Sequence, residues 1–140
     1  MTAYERLNRV RNYRWEYRRL LQKVEELETI ATRTVPMLSQ TPESHGSLKL
    51  NDDTWARLAD YREECKAALN RYLNDCRELE KELECIKSTR IRTAMHYRYV
   101  DGCKVTDIAA MMNYEQRQIH NFLRMGEKIY CETWEEKHEL

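Results

Sequence analysis

Apolar side chains recur at alternating intervals of three and four residues along two long stretches of this chain. The first series is Val10, Tyr13, Tyr17, Leu20, Val24, Leu27 and Ala31, and the second is Cys65, Leu69, Tyr72, Cys76, Leu79, Leu83 and Ile86. This spacing places each series along one side of an α-helix and is typical of helices that pack nearly parallel to a neighbour. It predicts an all-α chain in which residues 1–86 form a long antiparallel, coiled-coil-like helical hairpin.

The segment between the two series, residues 34–52, has the composition of a loop. It contains Pro36, Pro42, Gly46 and three serines, and an acid or amide within residues 51–53 is a suitable N-cap for the second helix. Two helices alone bury limited apolar surface, so we expect the hairpin to pack against a third partner. That partner is either the C-terminal part of the chain or the same arm of a second copy, in a homodimer.

The C-terminal part, residues 87–130, has the pattern of a helix-turn-helix. A helix with Ser88 as its N-cap is predicted to end near Tyr99, and turns at residues 101–102 and 113–114 flank a short second helix. Asn113 suits the second turn because asparagine tolerates left-handed backbone geometry. The inward apolar positions of the second and third helices are Ile108, Ala109, Met112, Ile119 and Phe122. Residues 131–140 then form an acidic tail.

The third helix of this pattern, residues 115–128, is the candidate recognition helix for a DNA major groove. Its outward residues are of the types that contact base edges, namely Gln116, Arg117, His120, Asn121 and Arg124. The candidate phosphate contacts are Arg90, Arg92, Arg98, Lys104 and Lys128. The alternative is an ordinary solvated helix surface, because short motifs also occur in proteins that bind no DNA.

The charges of the chain are segregated although their sum is zero. Residues 86–130 hold eight Lys/Arg against four Asp/Glu, and residues 35–85 hold seven against eleven. DNA binding requires local rather than global positive charge, so the most basic region coincides with the helix-turn-helix pattern. Six arginines between Arg6 and Arg19 form a second basic band. This band is either a contact surface for phosphates or a partner, or a solvated helix face.

Other function classes find little support in the residues. The five cysteines form no CxxC pair, and they and the four histidines are too scattered for a metal site. The chain has no glycine-rich phosphate loop, nucleophile elbow or HExxH motif, so we expect neither an enzyme nor a cofactor. It also lacks an apolar run long enough to span a bilayer and a hydrophobic leader. These features predict a cytoplasmic protein that does not bind membranes.

The stretch from about Ile86 to Ile129 resembles the fourth region of bacterial sigma factors. It is more similar still to small phage-encoded transcriptional regulators of the sigma-like and ArpU-type kind. The residues that match their pattern are Arg98, Tyr99, Val100, Gly102, Ile108, Ala109, Asn113, Tyr114, Arg117 and Ile119. The sequence departs from the pattern at Glu115, which replaces a serine, at residues 103–105, and at Gly126, which is expected to interrupt the recognition helix near its end.

The resemblance implies a transcriptional regulator of phage or prophage origin that binds double-stranded DNA in a bacterial host cell. RNA polymerase is a further candidate partner on the same ground. Two alternatives remain open at the level of sequence. One is a small terminase subunit, which also joins a helix-turn-helix to a helical arm. The other is a helical interaction module that docks onto polymerase or a host regulator without contacting DNA.

Overall fold

The computed structural model describes the backbone of residues 1–38 and 45–139, and the side chains of residues 1–32 and 52–139. Every regular element among these residues is helical, and helix makes up 89% of the structure. The five α-helices are α1 (Ala3–Leu38), α2 (His45–Glu82), α3 (Thr89–Met95), α4 (Val105–Met112) and α5 (Gln116–His138). A 3-10 turn (Leu83–Cys85) follows α2, and a π-helical turn (His96–Val100) follows α3. The all-α prediction is therefore confirmed.

The loop predicted at residues 34–52 is wrong at both ends. Helix α1 continues to Leu38 and α2 begins at His45, so a cap for α2 at residues 51–53 is also wrong. The prediction relied on local helix breakers such as Gly46. At the start of α2, Gly46 costs only about 1 kcal/mol relative to alanine, and propagation of a long helix overrides a penalty of that size. Residues 39–44 lie outside the described residues.

The contacts divide the chain into two compact units. One comprises Met1–Asn12 with Leu73–Leu140, and the other is Tyr13–Tyr72. The start of α1 and the end of α2 thus belong with the C-terminal helices. The boundary predicted from the sequence lies between residues 86 and 87.

The unit Tyr13–Tyr72 is built from facing stretches of α1 and α2. Its buried cluster consists of Leu20, Val24, Leu58, Cys65 and Ala68. Ion pairs join Glu16 to Arg71 at 3.1 Å and Glu28 to Arg62 at 2.9 Å. The partner of Glu28 lies earlier in α2 than the partner of Glu16, so the two stretches run antiparallel. Taken over both units, all fourteen residues of the two apolar series are buried or half-buried, as predicted.

The unit formed by residues 1–12 and 73–140 carries the C-terminal helices. Its buried apolar residues come from the start of α1, the end of α2, and α3 to α5; they include Leu7, Leu79, Ile86, Met95, Ile108 and Ile119. Both α3 and α4 pack against α5. Ser88 is the N-cap of α3, since its side chain accepts a hydrogen bond from the Ile91 amide, as predicted.

A buried ionic network lies in the same unit. Arg6 is 2% exposed; its Nη2 donates to Glu82 Oε2 at 2.6 Å, and its Nη1 donates to Asp75 Oδ2 at 3.3 Å. Asp75 is 3% exposed and also accepts from Arg9 Nε at 3.0 Å. The Tyr130 hydroxyl donates to Glu82 at 2.7 Å. Arg6 therefore lies in the protein interior and Arg9 lies at its edge. Neither residue is part of a solvated helix face or of a surface that could bind phosphates.

Arg14, a third member of that basic band, is also buried, with 6% of its surface exposed. Its Nε donates to the Tyr72 hydroxyl at 3.1 Å, and its guanidinium carbon lies 5.4 Å from the centre of the Tyr72 ring. The prediction that the basic band is a solvated helix face is therefore wrong for Arg14 as well.

Among the described residues, no helix is both long enough and apolar enough to cross a bilayer.

Candidate nucleic-acid interface

Two tight turns set the position of α4 and the start of α5. Gly102 has φ 74°, and Asn113 ends α4 with φ 62° and ψ 43°. The Asn113 backbone is left-handed, which is the geometry that the sequence predicted for this turn. Gln118 Oε1 then accepts from the Glu115 amide at 3.2 Å. This is one half of a capping box, so Glu115 starts the helix although it replaces a serine of the family pattern.

Helix α5 continues ten residues beyond the predicted end at residue 128. It reaches His138, so the predicted tail is helical over most of its length. The Trp134 ring stacks on Tyr130 at a centroid distance of 6.2 Å and on His138 at 3.8 Å. These contacts between side chains four residues apart stabilise the added turns.

Gly126 does not interrupt α5. It marks the place where α3 crosses closely over α5. A Cβ at this position would lie 2.5 Å from Met95 Cγ, 2.7 Å from Met95 Sδ and 3.1 Å from Ile91 Cγ2. Because Met95 is fully buried, no side chain larger than hydrogen fits without a shift. The glycine that departs from the family pattern therefore has a packing role, which the sequence alone did not reveal.

The five candidate base-contacting residues share the exposed side of the first turns of α5. Gln116, Arg117, His120, Asn121 and Arg124 are all exposed, whereas Ile119 and Leu123 between them are buried. Phe122 is half-buried and meets Tyr114 edge to face, with ring centroids 5.2 Å apart. The structure thus brings these five side chains together on one accessible helix face.

The candidate phosphate-contacting residues are less uniform. Arg90, Arg98, Lys104 and Lys128 are exposed. Arg98 Nη1 donates to the Cys103 carbonyl at 3.2 Å, which ties this side chain to the turn before α4. Arg92 is half-buried, and its Nη1 donates to the Ile86 carbonyl at 2.9 Å. That bond uses the Arg92 guanidinium to fix the chain between α2 and α3.

The ionic contacts of the described residues are distributed unevenly. The ion pairs among the described residues all join side chains within residues 6–82. Residues 83–139 contain nine Lys/Arg and nine Asp/Glu, yet none of these cations is within ion-pairing distance of a described carboxylate. The cations around α4 and the first half of α5 therefore form no ion pair with a described carboxylate.

The second half of α5 has the opposite character. Glu132 and Glu135, which lie beyond Lys128, line a cavity of about 720 Å³ together with Tyr4 and Trp134. Carboxylates repel phosphates, so this half of α5 is unsuited to DNA. Contact with a duplex would be confined to the turns up to about Lys128.

Tyr99 and Glu127 join the π-helical turn to α5. The Tyr99 hydroxyl donates a short hydrogen bond to Glu127 Oε1. Burial, followed by the bond to Glu127 and its charge, raises the pKa of Tyr99 well above its usual range. Tyr99 is therefore a neutral donor at physiological pH. Single π-helical turns are rare and often occur at functional sites, but no sequence signal pointed to this one.

All five cysteines are free thiols. Burial raises the pKa of the Cys65 thiol, and burial with the neighbouring Glu135 raises that of Cys131. Both groups are thus less reactive than an exposed cysteine. Among the described residues, no three His, Cys, Asp or Glu side chains are close enough together to hold a metal ion.

No protein-family model, curated protein or solved structure was found to match this chain. The resemblance to phage regulators and to the fourth region of sigma factors consequently stays a prediction. The functional argument depends on the site itself.

Proposed function

We propose that this chain is a sequence-specific DNA-binding transcriptional regulator of the phage or prophage kind that its motif resembles. In this proposal α4 and α5 form a helix-turn-helix, and the exposed face at the start of α5 enters the major groove. The paired long helices form a hairpin arm that positions this domain, either on RNA polymerase or in a homodimer.

The observation that carries the proposal is the excess positive charge of residues 86–130, where eight Lys/Arg stand against four Asp/Glu. Exposed cations elsewhere in the chain, such as Arg62 and Arg71, form ion pairs with carboxylates across the helix pair. Around the turns that flank α4, the described cations have no carboxylate within ion-pairing distance. A phosphate backbone supplies the missing anions, and the release of its counterions drives binding.

The chemistry of the exposed α5 face also favours base contacts. A major groove about 12 Å wide admits an α-helix. Arginine can donate two hydrogen bonds to guanine, and asparagine can pair with adenine. We therefore assign Arg117 and Asn121 as the first base-contacting residues, near the N-terminus of α5, where recognition helices usually approach base edges.

Binding to a pool of random duplexes, with selection and sequencing of the bound fraction, tests the proposal. A regulator should enrich one sequence, and its affinity for that sequence should fall steeply between 50 and 200 mM salt, by orders of magnitude for about six phosphate contacts. Enrichment of no sequence, with weak binding to all duplexes or none, would contradict it.

Three variants sharpen this experiment. Arg117→Ala should weaken binding to the selected sequence by about 1–3 kcal/mol and relax its specificity. Lys104→Ala should weaken binding to all duplexes alike and reduce the salt dependence. Arg57→Ala removes an exposed arginine of α2 that pairs with Asp53 at 3.5 Å, and should leave binding unchanged. Equal losses on selected and scrambled DNA for Arg117→Ala would refute its assignment to a base.

A further inference from the structure

A cavity of about 240 Å³ opens beside the exposed face of α5. Its lining combines three elements: Arg98 and Tyr99 from the π-helical turn, Val105 from α4, and His120, Leu123, Arg124 and Glu127 from α5. A water molecule occupies about 30 Å³ in the liquid, so the cavity has room for a group of several heavy atoms. Three of the seven lining residues are cationic or can become so.

We infer that Arg98, His120 and Arg124 form a pocket for one phosphate group of the DNA backbone. This inference rests on the proposed function and refines it. It moves His120 and Arg124 from base contact to backbone contact, and it leaves Arg117 and Asn121 as base contacts, since neither lines the cavity.

The two arginines are prepared for an anion in different ways. Arg98 is held in place by its bond to the Cys103 carbonyl, and a guanidinium with one edge bonded to the protein still has other N–H donors. Arg124 is exposed and, among the described side chains, has no carboxylate within ion-pairing distance. Guanidinium groups also match the geometry of phosphate oxygens better than an ammonium does.

Glu127 is the one acidic group of the cavity, and its surroundings limit its effect. Its carboxylate accepts from the Tyr99 hydroxyl, which fixes it against the π-helical turn. Arg98 and Arg124 outnumber the single carboxylate of Glu127, so the lining carries a net positive charge. Val105 is the first residue of α4, so the positive end of that helix dipole adds to the field.

His120 adds a third donor to the lining of the cavity. An imidazole ring carries an N–H donor in either charge state, so His120 can donate a hydrogen bond to a phosphate oxygen beside the two guanidinium groups.

Duplexes carrying the selected sequence, with single neutral methylphosphonates placed along the backbone, test the pocket directly. A methylphosphonate at one position should weaken DNA binding by the wild-type protein roughly tenfold, as expected for the loss of a hydrogen-bonded charge contact. The same modification should hardly change the affinity of the Arg124→Gln variant, because this variant already lacks the guanidinium group that contacts the phosphate. Arg117→Gln, the matched variant on the same helix, should remain fully sensitive to that modification.

Two further readouts separate a phosphate contact from a base contact. Arg124→Gln should bind selected and scrambled duplexes about tenfold more weakly alike, with a smaller salt dependence. His120→Gln should likewise weaken binding to both kinds of duplex, by a smaller factor than Arg124→Gln, because a neutral donor replaces the imidazole. Because both residues are exposed, both variants should keep the wild-type circular dichroism spectrum and thermal midpoint.

The outcomes are distinct. If Arg124→Gln changes the preference among base-substituted duplexes and keeps the wild-type sensitivity to every methylphosphonate, the phosphate pocket is wrong. The proposed function would remain. A failure of wild type to bind any duplex would overturn both. Loss of the single methylphosphonate effect in Arg124→Gln, with base preference unchanged, would support the pocket.

Discussion

Replacing Asp75 by asparagine removes one negative charge from the buried ionic network and keeps the shape of the side chain. Asp75 lies between Arg6 and Arg9, and Arg6 is as buried as Asp75 itself. Breaking a buried ion pair from one side costs about 3–5 kcal/mol, because the remaining charge stays buried without its partner. Here Arg6 keeps Glu82, and Arg9 is 31% exposed. We therefore expect a loss near the lower end, about 3 kcal/mol.

That loss is large against the 5–15 kcal/mol by which folded proteins are usually stable. It should lower the thermal midpoint by roughly 6–12 °C for a chain of this length. Urea unfolding, followed by circular dichroism at 222 nm, measures it as a shift of the midpoint at constant slope.

Glu16→Gln provides the matched control for this experiment. It removes the charge from an ion pair with Arg71 of similar distance, 3.1 Å, whose side chains are 43% and 49% exposed. Exposed pairs contribute less than about 1 kcal/mol and are screened by salt. The cost of Asp75→Asn should exceed that of Glu16→Gln and persist in 0.5 M NaCl. Equal costs for the two variants would show that burial does not strengthen the network.

Three other predictions follow from single sites of the C-terminal helices. Gly126→Ala should destabilise the fold by about 1–2 kcal/mol in urea unfolding, because overpacking against Met95 outweighs a gain of about 1 kcal/mol in helix propensity; a stabilised variant would contradict the close crossing. Burial and the bond to Glu82 raise the pKa of Tyr130 in the folded state. The stability that this shift contributes is fully present below the pKa of an unfolded tyrosine, about 10, and is lost as the pH rises above that value. Tyr130→Phe should flatten this alkaline decline, and an identical decline in both proteins would refute the assignment. Asn113→Val should cost about 1–2 kcal/mol because of its left-handed backbone, whereas Asn113→Gly should cost little in the same assay.

The features that the sequence predicted are those that local rules determine. The two apolar series follow from helix periodicity alone, and their members are buried or half-buried. The Ser88 cap and the left-handed turn at Asn113 depend on residues adjacent in the chain. The exposed face of α5 likewise follows from spacing, since Ile119 and Leu123 determine which side is buried.

The features that sequence analysis missed depend on partners distant in the chain. Arg6 is bonded to acids 69 and 76 residues away, and no periodicity indicates such a partner. Gly126 appeared to be a helix breaker because its neighbour Met95 lies on another helix. The extension of α5 past residue 128 is a different case, because the stacking of Trp134 on Tyr130 and His138 is local, and the prediction considered only the acidic composition of the segment.

The contrast between the two halves of the chain also separates function from stability. Residues 83–139 have as many carboxylates as cations, so the absence of ion pairs among their described side chains results from placement rather than from a shortage of acids. Exposed charges without partners add little to the free energy of unfolding, and their replacement usually changes it by no more than about 0.5 kcal/mol. Arg117→Ala and Arg124→Gln should therefore leave the urea midpoint unchanged while they weaken DNA binding. A loss of stability equal to the loss of binding would indicate that these arginines serve the fold, and the argument from excess positive charge would fail.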